Sequence, residues 1–273
     1  MGNMPTVADI RSHDADDDPL TFLTAYDAPT AAALEAAGID IILVGDSVGN
    51  TMLGYDSTLP VTVEEILSHT GAVTRATDES LVIADMPFMS YGADPDEAIE
   101  TAGRMIKEAG AQAIKHESGP HTIELTERLV QNGIPVMAHL GLNPQSVNET
   151  GDLTRRATDA EEAEEILELA KAHEEAGAFA LLLEHIPANV AKHIDEALSI
   201  PTIGIGAGPH VSGQGLIITD VLGVGDWVPP FAKQYADVQS EMEKGVEGFR
   251  EEVQNGEFPA NDHYVEEPID GWD

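Results

Sequence analysis

The sequence predicts a single (β/α)8 barrel with a C-terminal helical extension. Short apolar runs alternate with longer segments of helical period, the pattern of βα units around a parallel sheet. Eight such runs fit within about 200 residues, a length suited to one barrel. Several of the runs end on a charged or polar residue, which is where βα folds place their chemistry. A doubly wound open sheet is the alternative arrangement of the same units.

The predicted strands are residues 20–24, 41–45, 81–85, 113–117, 136–139, 180–184, 202–204 and 215–218, each apolar and bounded by Gly, Pro or Asp. Helices are predicted at 28–37, 63–76, 95–109, 122–132, 159–176 and 188–198, with a further one over 231–252. Pro29 and Pro95 suit first-turn positions, where proline's missing N–H has no helical partner. Gly38, Gly110, Gly133 and Gly177 suit the left-handed residue that closes a helix. No linker interrupts the series. One domain is therefore expected over 20–253, preceded by a segment 1–19 and followed by an acidic tail 254–273.

Composition sets the environment. The 273 residues are 42% hydrophobic, enough for one large core. The absence of cysteine excludes disulfides, a thiol nucleophile and sulfur-ligated zinc, so any metal would be held by oxygen or imidazole. Fifty acidic residues against 13 basic ones give a formal charge of −37. Such a surface repels nucleic acid and anionic membranes, so neither is an expected partner. The acids are spread along polar helix faces, as in residues 159–165, which fits a protein adapted to a salt-rich cytoplasm where the screening length falls to about 3 Å. No apolar stretch is long enough for a membrane span or a secretory leader. Gly2 and Thr6 formally match an acylation pattern too short to carry weight. A soluble cytoplasmic protein is expected.

The strand ends concentrate the candidates for chemistry. Asp46 and Ser47 end the second strand, Asp85 the third, Lys115 and Glu117 the fourth, His139 the fifth and Glu184 the sixth. Singly, each has an ordinary reading: Asp46 or Asp85 as a helix cap, Glu117 or Glu184 as a solvated loop acid, His139 as a satisfied core histidine. Together they form a set on one rim. Three carboxylates without Cys make a hard oxygen site suited to Mg²⁺. Lys115 offers fixed positive charge to a carboxylate substrate, and a carboxylate off the metal can serve as general base. This set could bind a 2-oxo acid, polarise its carbonyl and stabilise an enolate. Gly204-Ile-Gly-Ala-Gly208 lacks the spacing of a nucleotide loop and is read as a place of close backbone approach to a ligand or the neighbouring strand.

Longer blocks carry a resemblance. Thr24-Ala-Tyr-Asp27, Leu43-Val-Gly-Asp-Ser47, Asp56-Ser-Thr-Leu-Pro-Val-Thr62, Ala84-Asp-Met-Pro-Phe88, the run from His139 to Asn148, Glu184-His-Ile-Pro187 and Ile203-Gly-Ile-Gly-Ala-Gly208 resemble the ketopantoate hydroxymethyltransferases, in order from about residue 20 to 260. The resemblance implies a barrel of the phosphoenolpyruvate/pyruvate type, Mg²⁺, and 5,10-methylenetetrahydrofolate as one-carbon donor. It implies hydroxymethyl transfer to 3-methyl-2-oxobutanoate through a Mg-stabilised enolate, giving 2-dehydropantoate on the way to pantothenate and coenzyme A. Carried over by motif, Asp46 and Asp85 are metal carboxylates, with Glu117 joining directly or through water. Asp46, Ser47, Asp85 and Lys115 line the substrate site, Ser47 and Lys115 holding its carboxylate. Glu184 is the catalytic base, and His139 lines the pocket. A homo-oligomer, often a decamer, is implied as well.

The chain departs from the family pattern twice. A Gly-Gly-Tyr-Lys-Val-Gln-Gly-like segment is replaced by residues 149–157, which puts the pterin contacts in question, and the usual Asp-Gly-Gln is Ser212-Gly-Gln214. A lyase or mutase of the same barrel superfamily, acting on a 2-oxo acid, would share the metal and enolate chemistry without the folate. A non-catalytic barrel that only binds would have no need of the strand-end set.

Overall fold

The computed structural model describes residues 5–13, 17–151, 153–225 and 227–272. Gly2 of the acylation pattern, part of segment 1–19, Asp152 of the divergent loop and the last residue of the tail lie outside them. Eight parallel strands close in chain order: β1 (Leu20–Thr24), β2 (Ile41–Val44), β3 (Leu81–Asp85), β4 (Ala113–Glu117), β5 (Val136–Gly141), β6 (Ala180–Glu184), β7 (Thr202–Ile205) and β8 (Gly213–Leu216). β1 pairs with both β2 and β8, so the sheet has no edge and the open-sheet alternative is excluded.

The helices are α1 (Val7–Arg11), α2 (Ala28–Ala36), α3 (Val48–Thr51), α4 (Val63–Thr74), α5 (Pro95–Lys107), α6 (Ile123–Gln131), α7 (Val147–Thr150), α8 (Ala160–Glu175), α9 (Ala188–Ala197), α10 (Ile218–Leu222) and α11 (Val238–Asn255). Short side chains start them where the sequence indicates. Asp27 accepts the Thr30 N–H, Thr62 and Glu65 form a reciprocal capping box, and Asp159 accepts from Glu161 and Glu162. Gly38, Gly110, Gly133 and Gly177 all take positive φ after their helices.

Two predicted elements move. The eighth strand lies at Gly213–Leu216, not 215–218, because it is built of glycine. A Cβ at Gly213 would sit 2.7 Å from Leu20 O and 2.7 Å from Ile203 Cδ1, a contact no rotamer can relieve. The apolar run that signals a strand instead leads into α10. The last helix begins at Val238, not 231, where Asp237 accepts the Ser240 N–H and provides the cap.

Compactness divides the chain into a unit ending at Ile218, which holds the barrel, and a unit from Thr219 onward. In the first, all residues of β2, β3 and β4 are buried, as befits strands with one face to the barrel interior and the other to helices. In the second, α11 buries none of its residues, and the Phe249 and Phe258 rings meet edge-on at 5.6 Å. Among the described residues no helix is long and apolar enough to cross a membrane.

Candidate active site

Strand periodicity decides which side chains enter the barrel. On β6, Leu181 and Leu183 pack outward with Ile166, Ala170 and Ile194, which turns Leu182 and Glu184 inward. On β5, Ala138 and Leu140 join the same outer cluster, leaving Met137 and His139 inside. On β4 the outward residue is His116, which bonds Thr126 of α6, so Lys115 and Glu117 face inward. Register then aligns them. Asp85 lies opposite Lys115, and Glu117 lies opposite His139.

The resulting contacts form a chain across the rim. Lys115 Nζ lies 2.9 Å from Asp85 Oδ1 and 3.4 Å from His139 Nδ1. His139 Nε2 lies 3.2 Å from Glu184 Oε2. The Asp46 N–H donates to Asp85 Oδ2 at 3.1 Å. Ser47 Oγ is 2.8 Å from the Tyr26 hydroxyl and does not cap α3. The structure thus links Asp46, Asp85, Lys115, His139 and Glu184 by direct contacts, places Glu117 opposite His139 in register, and turns Ser47 to Tyr26. Asp46, Asp85, Lys115, Glu117 and His139 are almost wholly buried, so Glu117 is no solvated acid, and Asp46 and Asp85 cap no helix, since Ser47 and Asp94 stand at the N-caps of α3 and α5.

Sequence reasoning missed the residues that connect the set. Gln145, in the 3-10 turn Pro144–Ser146 after β5, donates its side-chain amide to Asp46 Oδ2 at 2.8 Å. Its backbone N–H is shared between both Glu117 oxygens at 3.1 and 3.0 Å. The Tyr91 hydroxyl donates to Gln145 Oε1 at 2.6 Å. Gln145 sits inside a family-like block, but nothing about a loop glutamine signals its reach.

Burial sets the electrostatics. Desolvation, then the neighbouring Asp85 charge, pushes the Asp46 carboxyl up to about 7. Glu117 is held well above the ordinary carboxylate range, first by burial and then by Asp46. Burial alone would depress the Lys115 ammonium, but Asp85, Asp46 and Glu117 together override it and raise its pKa. His139 is shifted toward its neutral form by burial and by Lys115. The site therefore crowds three buried carboxyl groups around one fixed cation, and two of the three resist ionisation unless further positive charge is supplied.

Whether a divalent cation suits the site follows from the donors. Asp85 Oδ1 is buried with no aligned hydrogen bond, only the nearby ammonium. Asp46 and Asp85 are adjacent hard-oxygen donors in need of positive charge. Among the described residues no three His, Asp or Glu side chains form a ready-made cage. A pair of carboxylates completed by water and substrate is the arrangement Mg²⁺ favours, so the residues fit that ion.

The glycine motif after β7 serves the protein itself. A Cβ at Gly208 would collide with Ala188 at the start of α9, so the close approach is to a helix. Of the divergent stretch 149–157, Arg156 pairs with Glu162 at 2.8 Å and Ala157 joins the core.

Comparison with known proteins agrees with the fold. Solved structures of similar fold include phosphoenolpyruvate phosphomutase from Streptomyces platensis subsp. rosaceus, with a TM-score of 0.61 at 16% identity over 96% of this chain and 92% of that one. Another is 2,3-dimethylmalate lyase of the PEP mutase/isocitrate lyase superfamily, with a TM-score of 0.60 at 17% identity over 96% and 92%. At these identities the likeness is one of fold. Proteins named 3-methyl-2-oxobutanoate hydroxymethyltransferase are far more similar. That of Haloarcula marismortui is 58% identical, covering 98% of this chain and 99% of its own, and that of Halobacterium salinarum is 57% identical with the same coverage. That of Geobacter metallireducens is 47% identical over 96% and 99%. Residues 5–261 match the ketopantoate hydroxymethyltransferase family, and the chain belongs to that family of transferases.

Proposed function

We propose that the protein transfers a hydroxymethyl group from 5,10-methylenetetrahydrofolate to 3-methyl-2-oxobutanoate, giving 2-dehydropantoate. The observation that carries this reading is Glu184, turned inward and 3.2 Å from His139, on the same rim as the buried Asp46–Asp85–Lys115 group. Asp46 and Asp85 would hold a divalent cation such as Mg²⁺, with Glu117 joining through water. When bound, that ion neutralises the paired carboxylates and polarises the substrate's 2-oxo group.

The protein groups do the rest. Lys115 and the Ser47 hydroxyl receive the substrate carboxylate. Glu184, partly exposed, removes the proton from C3. The C3 electron pair then forms a bond to the one-carbon unit of the folate, both of whose bonds to nitrogen break; water supplies the hydroxyl oxygen, and the two nitrogens take up the proton removed from C3 and one proton of that water. Neutral His139, between Lys115 and Glu184, orients the carboxylate that takes the proton.

Product formation tests the reading. Purified protein in molar salt, with Mg²⁺, 3-methyl-2-oxobutanoate and methylenetetrahydrofolate, is expected to yield 2-dehydropantoate and tetrahydrofolate in equal amounts. Cleavage of a 2-oxo acid carbon–carbon bond without any need for folate would favour the lyase reading instead. We further propose a soluble homo-oligomer working in a salt-rich cytoplasm. The −37 charge and the apolar residues exposed along α11, among them Met242, Val246 and Phe249, support it.

A further inference from the structure

We propose that Gln145 is a positioning residue for the metal-binding carboxylates and that Tyr91 fixes the direction in which its amide points. The inference rests on the reading of Asp46 and Asp85 as the carboxylates of the divalent cation. Its basis is the set of partners around one side chain. The atom that faces Asp46 Oδ2 at 2.8 Å also faces the Met86 carbonyl at 3.1 Å. The Met86 carbonyl can only accept, so that atom is the amide NH₂. The remaining atom is Oε1, and the Tyr91 hydroxyl 2.6 Å away must donate to it. The orientation of the amide therefore follows from its surroundings.

The consequence is a clamp drawn from two loops. Gln145 reaches from the loop after β5 to the ends of β2, β3 and β4 through Asp46, the Met86 carbonyl and Glu117. With Gln145 on Asp46 Oδ2 and the Asp46 N–H on Asp85 Oδ2, each carboxylate has one oxygen held from the protein side. Asp46 Oδ1, and Asp85 Oδ1 beside the Lys115 ammonium, are the oxygens that would be offered to the cation. Buried like charges would otherwise turn away from each other, and the clamp keeps the pair in register. Hydrogen bonds of this kind to ligating groups typically contribute about 10- to 100-fold in metal affinity.

The test is Mn²⁺ titration of the full-length protein, followed by water proton relaxation, for wild type, Gln145→Met, Tyr91→Phe and Asp46→Asn. Methionine keeps the length and volume of glutamine and removes its hydrogen bonds, so a space-filling role predicts no change in affinity. The clamp predicts Mn²⁺ binding about 10- to 100-fold weaker in Gln145→Met, and weaker by a smaller factor in Tyr91→Phe. If Gln145→Met does not fold, the half-buried Tyr91→Phe carries the test alone, and wild-type affinity there overturns the proposal. Wild-type or tighter binding in Gln145→Met also overturns it, the latter showing that the amide competes with the cation. Binding that Asp46→Asn leaves untouched would reject both the metal reading and the clamp built on it.

Discussion

The two halves of the barrel wall use the same parallel strands for opposite ends. From β2 to β6 the strands end on Asp46, Asp85, Lys115, Glu117, His139 and Glu184, all but Glu184 buried; direct contacts link five of them and Gln145 joins Glu117 to Asp46. β7 and β8 bring no charged side chain to the wall, and β8 offers glycine against Leu20 and Phe22. One half spends its inward positions on charge held at low dielectric, where interactions are strong and easily unbalanced. The other closes the cylinder by bringing backbones close. A substitution in the first half should therefore alter ligand binding, and one in the second should alter stability.

The sharpest contrast is at the carboxylates proposed to hold the metal. Asp46→Ala and Asp85→Ala are each expected to weaken Mn²⁺ binding by at least about 100-fold, whereas Asp56→Ala, exposed in the loop beyond α3, should leave it unchanged. Mn²⁺-induced relaxation of water protons reads all three. Equal losses at Asp46 and Asp56 would erase the distinction between strand end and loop.

On the closing side, Gly213→Ala should lower unfolding free energy by about 1–3 kcal/mol, the usual cost of overpacking, because the new methyl meets the Leu20 carbonyl. Urea melts measure this. Mn²⁺ affinity should stay at the wild-type value in the protein that remains folded.

A third prediction concerns the support behind the charged half. His173 on α8 is fully buried, its Nδ1 3.0 Å from the Thr126 hydroxyl, and burial depresses its pKa to about 4. A histidine held neutral in the folded state stabilises fully above the unfolded value of about 6.5. That contribution is lost as pH falls from about 6.5 to about 4, because only the unfolded chain gains the proton, and the loss is on the order of 2–3 kcal/mol. His173→Gln should be less stable than wild type at pH 7.5, and the gap should narrow as pH approaches 4. A gap that stays constant would show that His173 does not titrate on unfolding.

Salt should give the smallest effect on the rim itself. Raising KCl from about 0.1 to about 3 M screens the exposed acids of α8 and should raise the melting temperature, while the buried Asp85–Lys115 pair is shielded from ions. A flat melting curve would remove the salt-adaptation reading.

Legibility in the sequence followed the physics. β3 and β6 are covered on both faces and read as apolar runs closed by one acid, so they stand in the sequence at their observed bounds, as do the more polar β1 and β4. The polar residue that ends each run stands out against it, and those residues meet on one rim. β8 was illegible for the opposite reason: its glycines carry no hydrophobic signal, and only the neighbouring side chains explain them. Gln145 and Tyr91 were hidden because both lie in loops, where no periodicity says which way a side chain points.

The central claim is that Glu184 takes the C3 proton while the Asp46–Asp85–Lys115 group holds the 2-oxo acid. Exchange of the C3 hydrogen of 3-methyl-2-oxobutanoate with deuterium oxide, followed by NMR with Mg²⁺ and without folate, isolates that step. Wild type is expected to catalyse the exchange. Glu184→Gln should slow it by about 10²- to 10⁴-fold while still binding substrate and Mn²⁺. Exchange in Glu184→Gln at the wild-type rate would contradict the account.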